Sequence, residues 1–185
     1  MAKTIVKLTA QSACYGLLPM AHGSVKVREI IPDHMTSIAP FKGQASALNK
    51  MLMDAHGVKY PAAGRVVTKE GVRCQWVGHA HAMLIGPAAA RELAHVAAVT
   101  DQTDAWAIVK IQGADVEQVL ARVIPMDLRA KVFKTHHTAR TMVQHMAASV
   151  TRVGPDAFEI MVMRSMARTL VHDLETAMEN VAAHF

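Results

Sequence analysis

The sequence predicts an α+β fold in which an antiparallel sheet with helices packed on it occurs twice. Three observations lead there. Short stretches that read as strands pair around turn-forming residues, at residues 72–77 and 80–85 around Gly78, and at 147–153 and 157–162 around Gly154 and Pro155. Between them stand segments whose apolar residues recur at helical spacing. The order of segments also repeats. Trp76-Val77-Gly78 precedes a strand and then Ala90-Arg91-Glu92-Leu93-Ala94-His95. Arg152-Val153-Gly154 precedes a strand and then Ala167-Arg168-Thr169-Leu170-Val171-His172, with one residue inserted between these anchors.

The elements follow in order. Residues 1–24, broken by Gly16, Pro19 and Gly23, read as an extended lead-in. Residues 24–31 alternate Val25 and Val27 with Lys26 and Arg28, the period of a half-buried strand, and Pro32 ends it. Residues 43–56 place Leu48, Met51, Leu52 and Ala55 on one helical face, with Gly57 as the C-terminal cap. After the first hairpin, Pro87 fits a first helical position and residues 88–98 read as a helix. A strand follows at 105–111. Gly113 then opens a helix at 114–123 that aligns Val116, Val119, Leu120 and Val123, and Pro125 stops it. After the second hairpin, the Ser165 hydroxyl is positioned to cap a last helix. The stripe of that helix is Met166, Leu170, Leu174, Ala177, Met178 and Val181. Residues 25–185 therefore form a single domain of two pseudo-repeats, about 25–104 and 105–185. Each is too small to bury its sheet alone, so the two pack together.

Composition narrows the function. Hydrophobic residues make up 51% of the 185, enough for a real core, while aromatics are only 4%. Volume must come from aliphatic residues and the 13 methionines, whose flexible side chains fill irregular gaps. No ladder of Met-x-x-Met steps indicates copper. The net charge of +5 and pI near 9.4 suit an anionic or acidic partner. The 20 Lys and Arg are scattered without a run of three, and few rings are present to stack on bases. Nucleic-acid binding is not expected. Cys14 and Cys74 form no Cys-x-x-Cys pair, which fits a reducing compartment. No apolar stretch approaches a membrane span, and Gln11, Ser12 and His22 interrupt any signal-peptide pattern. The expectation is a cytoplasmic protein without a membrane.

The chemistry-bearing motifs are sparse. His79 and His81 lie two apart on an expected strand, half of a zinc site, but no further ligand follows at a suitable spacing. His136 and His137 would point opposite ways, and His95 and His172 hold corresponding positions in the repeats, which favours packing. No Gly-x-Ser-x-Gly elbow, dinucleotide fingerprint or Walker-type loop occurs. Nothing near Cys14 in sequence would activate its thiol. Asp101 and Asp104 read as solvated turn residues, and Asp127 as a local cap or partner of Arg129. Glu159, between Phe158 and Ile160, faces outward or across to Arg152 or Arg164.

Residues 152–160, Arg-Val-Gly-Pro-Asp-Ala-Phe-Glu-Ile, resemble the Arg-x-Gly…Gly-Phe-Glu-Ile strand pair of the folate-dependent aminomethyltransferases. Three further segments strengthen the resemblance: Val123-Ile124-Pro125-Met126-Asp127-Leu128…Phe133, Thr138-Ala139-Arg140-Thr141…His145, and Phe158-Glu159-Ile160…Arg164-Ser165…Ala167. Together these are similar to the gamma subunits of heterotetrameric sarcosine oxidases, well over residues 113–175 and more weakly over 43–100. The resemblance implies two ferredoxin-like halves, as in the first domain of the aminomethyltransferases. It implies an enzyme that oxidatively demethylates sarcosine to glycine, forms hydrogen peroxide and passes the one-carbon unit to tetrahydrofolate. FAD, FMN, NAD and tetrahydrofolate would sit in partner subunits, with alpha, beta and delta chains as partners. No catalytic, cofactor-binding or metal residue is then expected in this chain. Two departures agree. The family's Gly-Tyr-Thr-Gly-Glu stretch shrinks here to Gly154-Pro155-Asp156-Ala157, and its Asp-Asp pair is replaced near Lys69-Glu70-Gly71. A stand-alone folate-binding protein of aminomethyltransferase type is the alternative, and an RNA-binding module a weaker one.

Overall fold

The structure, a computed structural model, describes residues 8–184. Eleven strands and three α-helices lie in these residues. They are β1 (Met20–His22), β2 (Val25–Ile30), β3 (His34–Pro40), α1 (Ala45–His56), β4 (Val66–Lys69), β5 (Val72–Gly78), β6 (His81–Gly86), β7 (Ala97–Asp101), β8 (Trp106–Gln112), α2 (Val116–Leu120), β9 (Thr138–Val143), β10 (Met146–Gly154), β11 (Ala157–Met163) and α3 (Ala167–Ala182). Two antiparallel sheets result. The first has the order β1-β2-β8-β11-β10-β9 and the second β4-β5-β6-β3-β7. The α+β class read from the sequence is what the chain adopts.

The duplication is visible in the pairing. The second sheet, read from its β7 edge, runs β7-β3-β6-β5-β4, and the first runs β2-β8-β11-β10-β9 with β1 added outside. Trp76-Val77-Gly78 and Arg152-Val153-Gly154 end the equivalent strands β5 and β10, and both strands shift register there. Leu93 and Leu170, the matched apolar residues beyond, are both fully buried, which stabilises each site by about 1.5–3 kcal/mol. The strand that completes the first sheet comes from the N-terminal end: β2 pairs with β8, Arg28 opposite Lys110. It does not join the sheet formed by the residues that follow it.

Helices cover the outer faces. On the first sheet, α2 and α3 bury Val119, Leu120, Leu170, Leu174 and Met178 against Val109, Ile160 and Val162. On the second, α1 buries Leu48 and Leu52 against Ile38, Cys74 and Leu84. Helix α1 ends as its sequence requires: Gly57 adopts φ 68° and donates its N–H to the Met53 carbonyl. The inner faces of the sheets meet through a smaller apolar cluster of Met35, Val77, Met83, Ile85, Ile108 and Met161. Backbone bonds join the sheet edges, from Val66 N–H to His136 O (3.0 Å) and from Thr138 N–H to Gly64 O (3.0 Å).

Several elements differ from the sequence expectation. Residues 88–98 form no α-helix. A 3-10 turn, Arg91–His95, leads into β7, because Ala97–Asp101 pairs with β3 and that pairing overrides the helical preference of the alanines. The helix expected at 114–123 shortens to Val116–Leu120, although its four expected apolar residues are all buried. Asp115 does not cap it with its side chain, which instead accepts a hydrogen bond from Ser24 Oγ at 2.6 Å. Ser165 likewise makes no cap bond: it lies in a 3-10 turn before α3, and Met166 is 42% exposed rather than part of the buried stripe. Strand β1 occupies the end of the segment read as a lead-in, and residues 1–7 of that segment lie outside the described residues. Strands β3, β4 and β9 were not foreseen.

Candidate functional site

The polar residues with unusual burial gather between the two sheets. Strand alternation turns Ser149, Thr151, Glu159 and Lys110 to the inner face of the first sheet and Arg73 and Gln75 to that of the second. Gln75 Nε2 donates to Ser149 Oγ at 2.7 Å, and Thr138 and Thr151 share a hydroxyl contact of 2.8 Å. All four side chains are buried, and each has a partner, as buried polar groups require. Beside them the Arg73 guanidinium pairs with Glu159, both side chains mostly buried. The sequence leaves Glu159 facing outward or across to Arg152 or Arg164. Its partner is Arg73, from the other sheet, because Glu159 points to the inner face.

Arg152 points the other way, into the helix-covered core, and is 1% exposed. Its guanidinium donates to Glu117 of α2 and to the carbonyls of Leu128 and Pro155, and it lies 4.3 Å over the Phe158 ring. It pins α2, the loop after it and the β10–β11 hairpin together. Its neighbours are all parts of the fold, so its role is structural.

Away from the inter-sheet contact, the inner face of the first sheet is open. There β1, β2 and β8 form a groove of about 370 Å³ with an apolar lining from Pro19, Met20 and Ala21. Lys26, Arg28 and Lys110 stand along it. Arg28 and Lys110 are direct cross-strand neighbours, a like-charge arrangement that is destabilising unless compensated. Lys110 is also opposite Glu159, whose carboxylate is held by Arg73. Among the described residues, none of the three cations forms an ion pair.

The other sequence candidates are not brought together. His79 lies in the exposed β5–β6 turn rather than on a strand, so it does not share a strand face with His81, whose Nε2 contacts Ser37 Oγ at 2.6 Å. His95 and His172 are exposed. Asp127 accepts from Arg129 N–H and Nε at 3.0 and 2.9 Å, and these bonds hold its carboxyl down to about 2. Hydrogen bonds from Thr103 likewise hold the Asp101 carboxyl below its ordinary range. One grouping that sequence reading missed is His22 with Glu175 and Glu179, whose ligand atoms lie within 4.8 Å of one another. The two glutamates are one helical turn apart, a readable spacing, but β1 supplies the histidine from the far end of the chain. Neither thiol is activated. Burial, with the neighbouring Glu29 charge adding to it, pushes the Cys14 thiol up to about 11, and burial pushes Cys74 up to about 12.

The family model described as GCVT N-terminal domain matches residues 71–184, from the start of β5 to the end of α3. The chain belongs to this family. The match spans both the first hairpin and the Phe-Glu-Ile strand, so the aminomethyltransferase resemblance holds at the level of family. A search of curated protein sequences finds no match. Among solved structures, the GCVT-type fold of this chain is similar to a chain of the heterotetrameric sarcosine oxidase from Corynebacterium sp. U-96, in complex with pyrrole 2-carboxylate. The TM-score is 0.78 at 19% identity, over 94% of this chain and 96% of that one. An aspartate kinase from Clostridium acetobutylicum (TM-score 0.41, 9% identity, 85% of this chain and 35% of that one) is too loosely similar to argue from. The same holds for the regulatory subunit of aspartate kinase from Thermus thermophilus (0.40, 10%, 85% and 98%). Among the described residues no helix is long and apolar enough to cross a membrane.

Proposed function

We propose that this chain is a gamma-type subunit of a heterotetrameric sarcosine oxidase, an assembly partner for catalytic alpha and beta subunits and a delta subunit in the cytoplasm. The observation that carries the reading is the end-to-end likeness to a sarcosine oxidase chain, which covers nearly all of both chains. The complex would demethylate sarcosine to glycine, with hydrogen peroxide as product and the one-carbon unit transferred to tetrahydrofolate. FAD, FMN, NAD and tetrahydrofolate would be bound by the partners. The inter-sheet face is consistent with a non-catalytic role: its carboxylate, Glu159, is paired with Arg73 of the other sheet.

Co-expression with the alpha, beta and delta subunits tests the reading. The expected result is a stable complex containing this chain, whose sarcosine-dependent peroxide production falls when this chain is left out. A chain that stays apart from all three subunits overturns it. The alternative, a stand-alone folate-binding protein, rests on the family match; micromolar binding of tetrahydrofolate by the isolated chain would establish it instead.

A further inference from the structure

We infer that the groove on β1, β2 and β8 is the docking site for an extended, acidic segment of a partner subunit. This rests on the assembly reading above and names the surface and the chemistry of its partner. Lys26 and Arg28 are two residues apart on one strand, so their side chains share a face at a spacing of about 6.6–6.8 Å. An extended segment with acidic residues at alternate positions presents carboxylates at the same spacing. Lys110, opposite Arg28, adds a third positive charge. Glu159, the cross-strand neighbour of Lys110, is shared with Arg73, so an acidic segment would add negative charge beside the like-charged cross-strand pair of Arg28 and Lys110. Pro19, Met20 and Ala21 supply an apolar lining that excludes water beside the ion pairs and strengthens them. The net charge of +5 favours the same class of partner at longer range.

The experiment measures association of the full chain with the alpha, beta and delta subunits over a salt series. Wild type is compared with Arg28→Glu/Lys110→Glu, with the milder Lys26→Gln/Arg28→Gln, and with Lys131→Glu as a control outside the groove. Thermal unfolding of each variant establishes that it is folded. The expected result is an association rate lowered roughly tenfold or more by the double reversal at low salt, a smaller loss in the neutral variant, and a flatter salt dependence in both. Lys131→Glu is expected to behave as wild type. A hexaglutamate peptide is expected to slow wild-type association more than inorganic phosphate does at equal ionic strength. Variants that associate at the wild-type rate with the wild-type salt slope overturn the docking site and leave the assembly reading intact. Equal competition by phosphate also overturns it, since the groove would then be a site for small anions. A wild-type chain that associates with none of the subunits overturns both.

Discussion

Arg73 of one sheet and Glu159 of the other form an ion pair across the inter-sheet space, 13% and 15% exposed. Little water reaches either group, so removal of one leaves the other charged and poorly solvated. Arg73→Met or Glu159→Met is expected to lower stability by about 2–3 kcal/mol. The double variant is expected to lose less than either single one, because no orphaned charge remains. Urea unfolding of the four proteins gives the comparison. Additive losses would mean that the pair is not coupled.

Gly113 sets how closely β2 approaches β8. Its φ of +146° is one that residues with a side chain rarely adopt, and a Cβ there would stand 2.1 Å from Ser24 O. Backbone, not a flexible side chain, blocks the space. Gly113→Ala is expected to cost roughly 3 kcal/mol or more and to loosen β1 and β2. Gly16, at φ +73° with nothing within 4 Å of its added Cβ, gives the contrast. Gly16→Ala is expected to cost only about 1 kcal/mol. Thermal midpoints of the two variants, read together, separate collision from backbone strain.

Residue patterns expose local structure and conceal what the fold joins at a distance. The two hairpins were legible because each joins two strand-like stretches around a turn glycine, Gly78 and Gly154. Helix α1 was legible because Gly57 marks its end. Edge strand β9 was not, since Thr138–Val143 mixes buried and exposed polar residues with no strong alternation of hydropathy. The Ala-rich stretch at 88–98 has good helical propensity, and pairing with β3 makes its last two residues, Ala97 and Ala98, the start of a strand. The site was less legible still. Arg73 and Glu159 are 86 residues apart, and nothing local in either segment names the other. The Lys26–Arg28 spacing was plain, but its alignment with Lys110 depends on a pairing that skips the whole second sheet.

His56 gives stability a pH dependence. Its Nε2 accepts the Ala90 N–H at 3.1 Å, which requires an unprotonated ring, and burial holds its pKa below the ordinary 6.5. The unfolded chain therefore takes up the proton first as pH falls. Stability contributed by His56 is present above pH 6.5 and declines as pH falls below it through the folded-state value. Chemical denaturation from pH 7.5 to 5 is expected to show this decline, and it is expected to flatten in His56→Phe. An unchanged slope in that variant would assign the decline to other groups.

Cys14 and Cys74 are both buried, and burial keeps their protons on well above pH 9.0. The folded protein is expected to react with a thiol-specific disulfide reagent at pH 8 roughly 100-fold more slowly than the denatured chain. The sign for stability is the reverse of the histidine case. Between about pH 9 and 11 the unfolded chain has lost protons that the native state retains, so stability falls as pH rises. Replacing both cysteines with alanine is expected to reduce that alkaline slope.

Arg152 carries the largest expected loss. Its guanidinium is 1% exposed, yet Glu117 beside it is 34% exposed, so the ion pair is lopsided. Removal of the arginine deprives the Leu128 and Pro155 carbonyls of their donor and leaves a void over the Phe158 ring. Arg152→Ala is expected to cost about 3–5 kcal/mol. For a chain of this length that is a fall in Tm of roughly 6–20 °C. Arg152→Lys retains the charge but not the planar fork that reaches three acceptors, so it is expected to recover only part of the loss. Glu117→Gln keeps an acceptor in place and is expected to cost about 1 kcal/mol or less. If Glu117→Gln proved as damaging as Arg152→Ala, the charge pair would be what holds α2 to the hairpin. The opposite order is expected, because two of the three groups that Arg152 ties down are carbonyls of loop and turn, which Glu117→Gln leaves bonded.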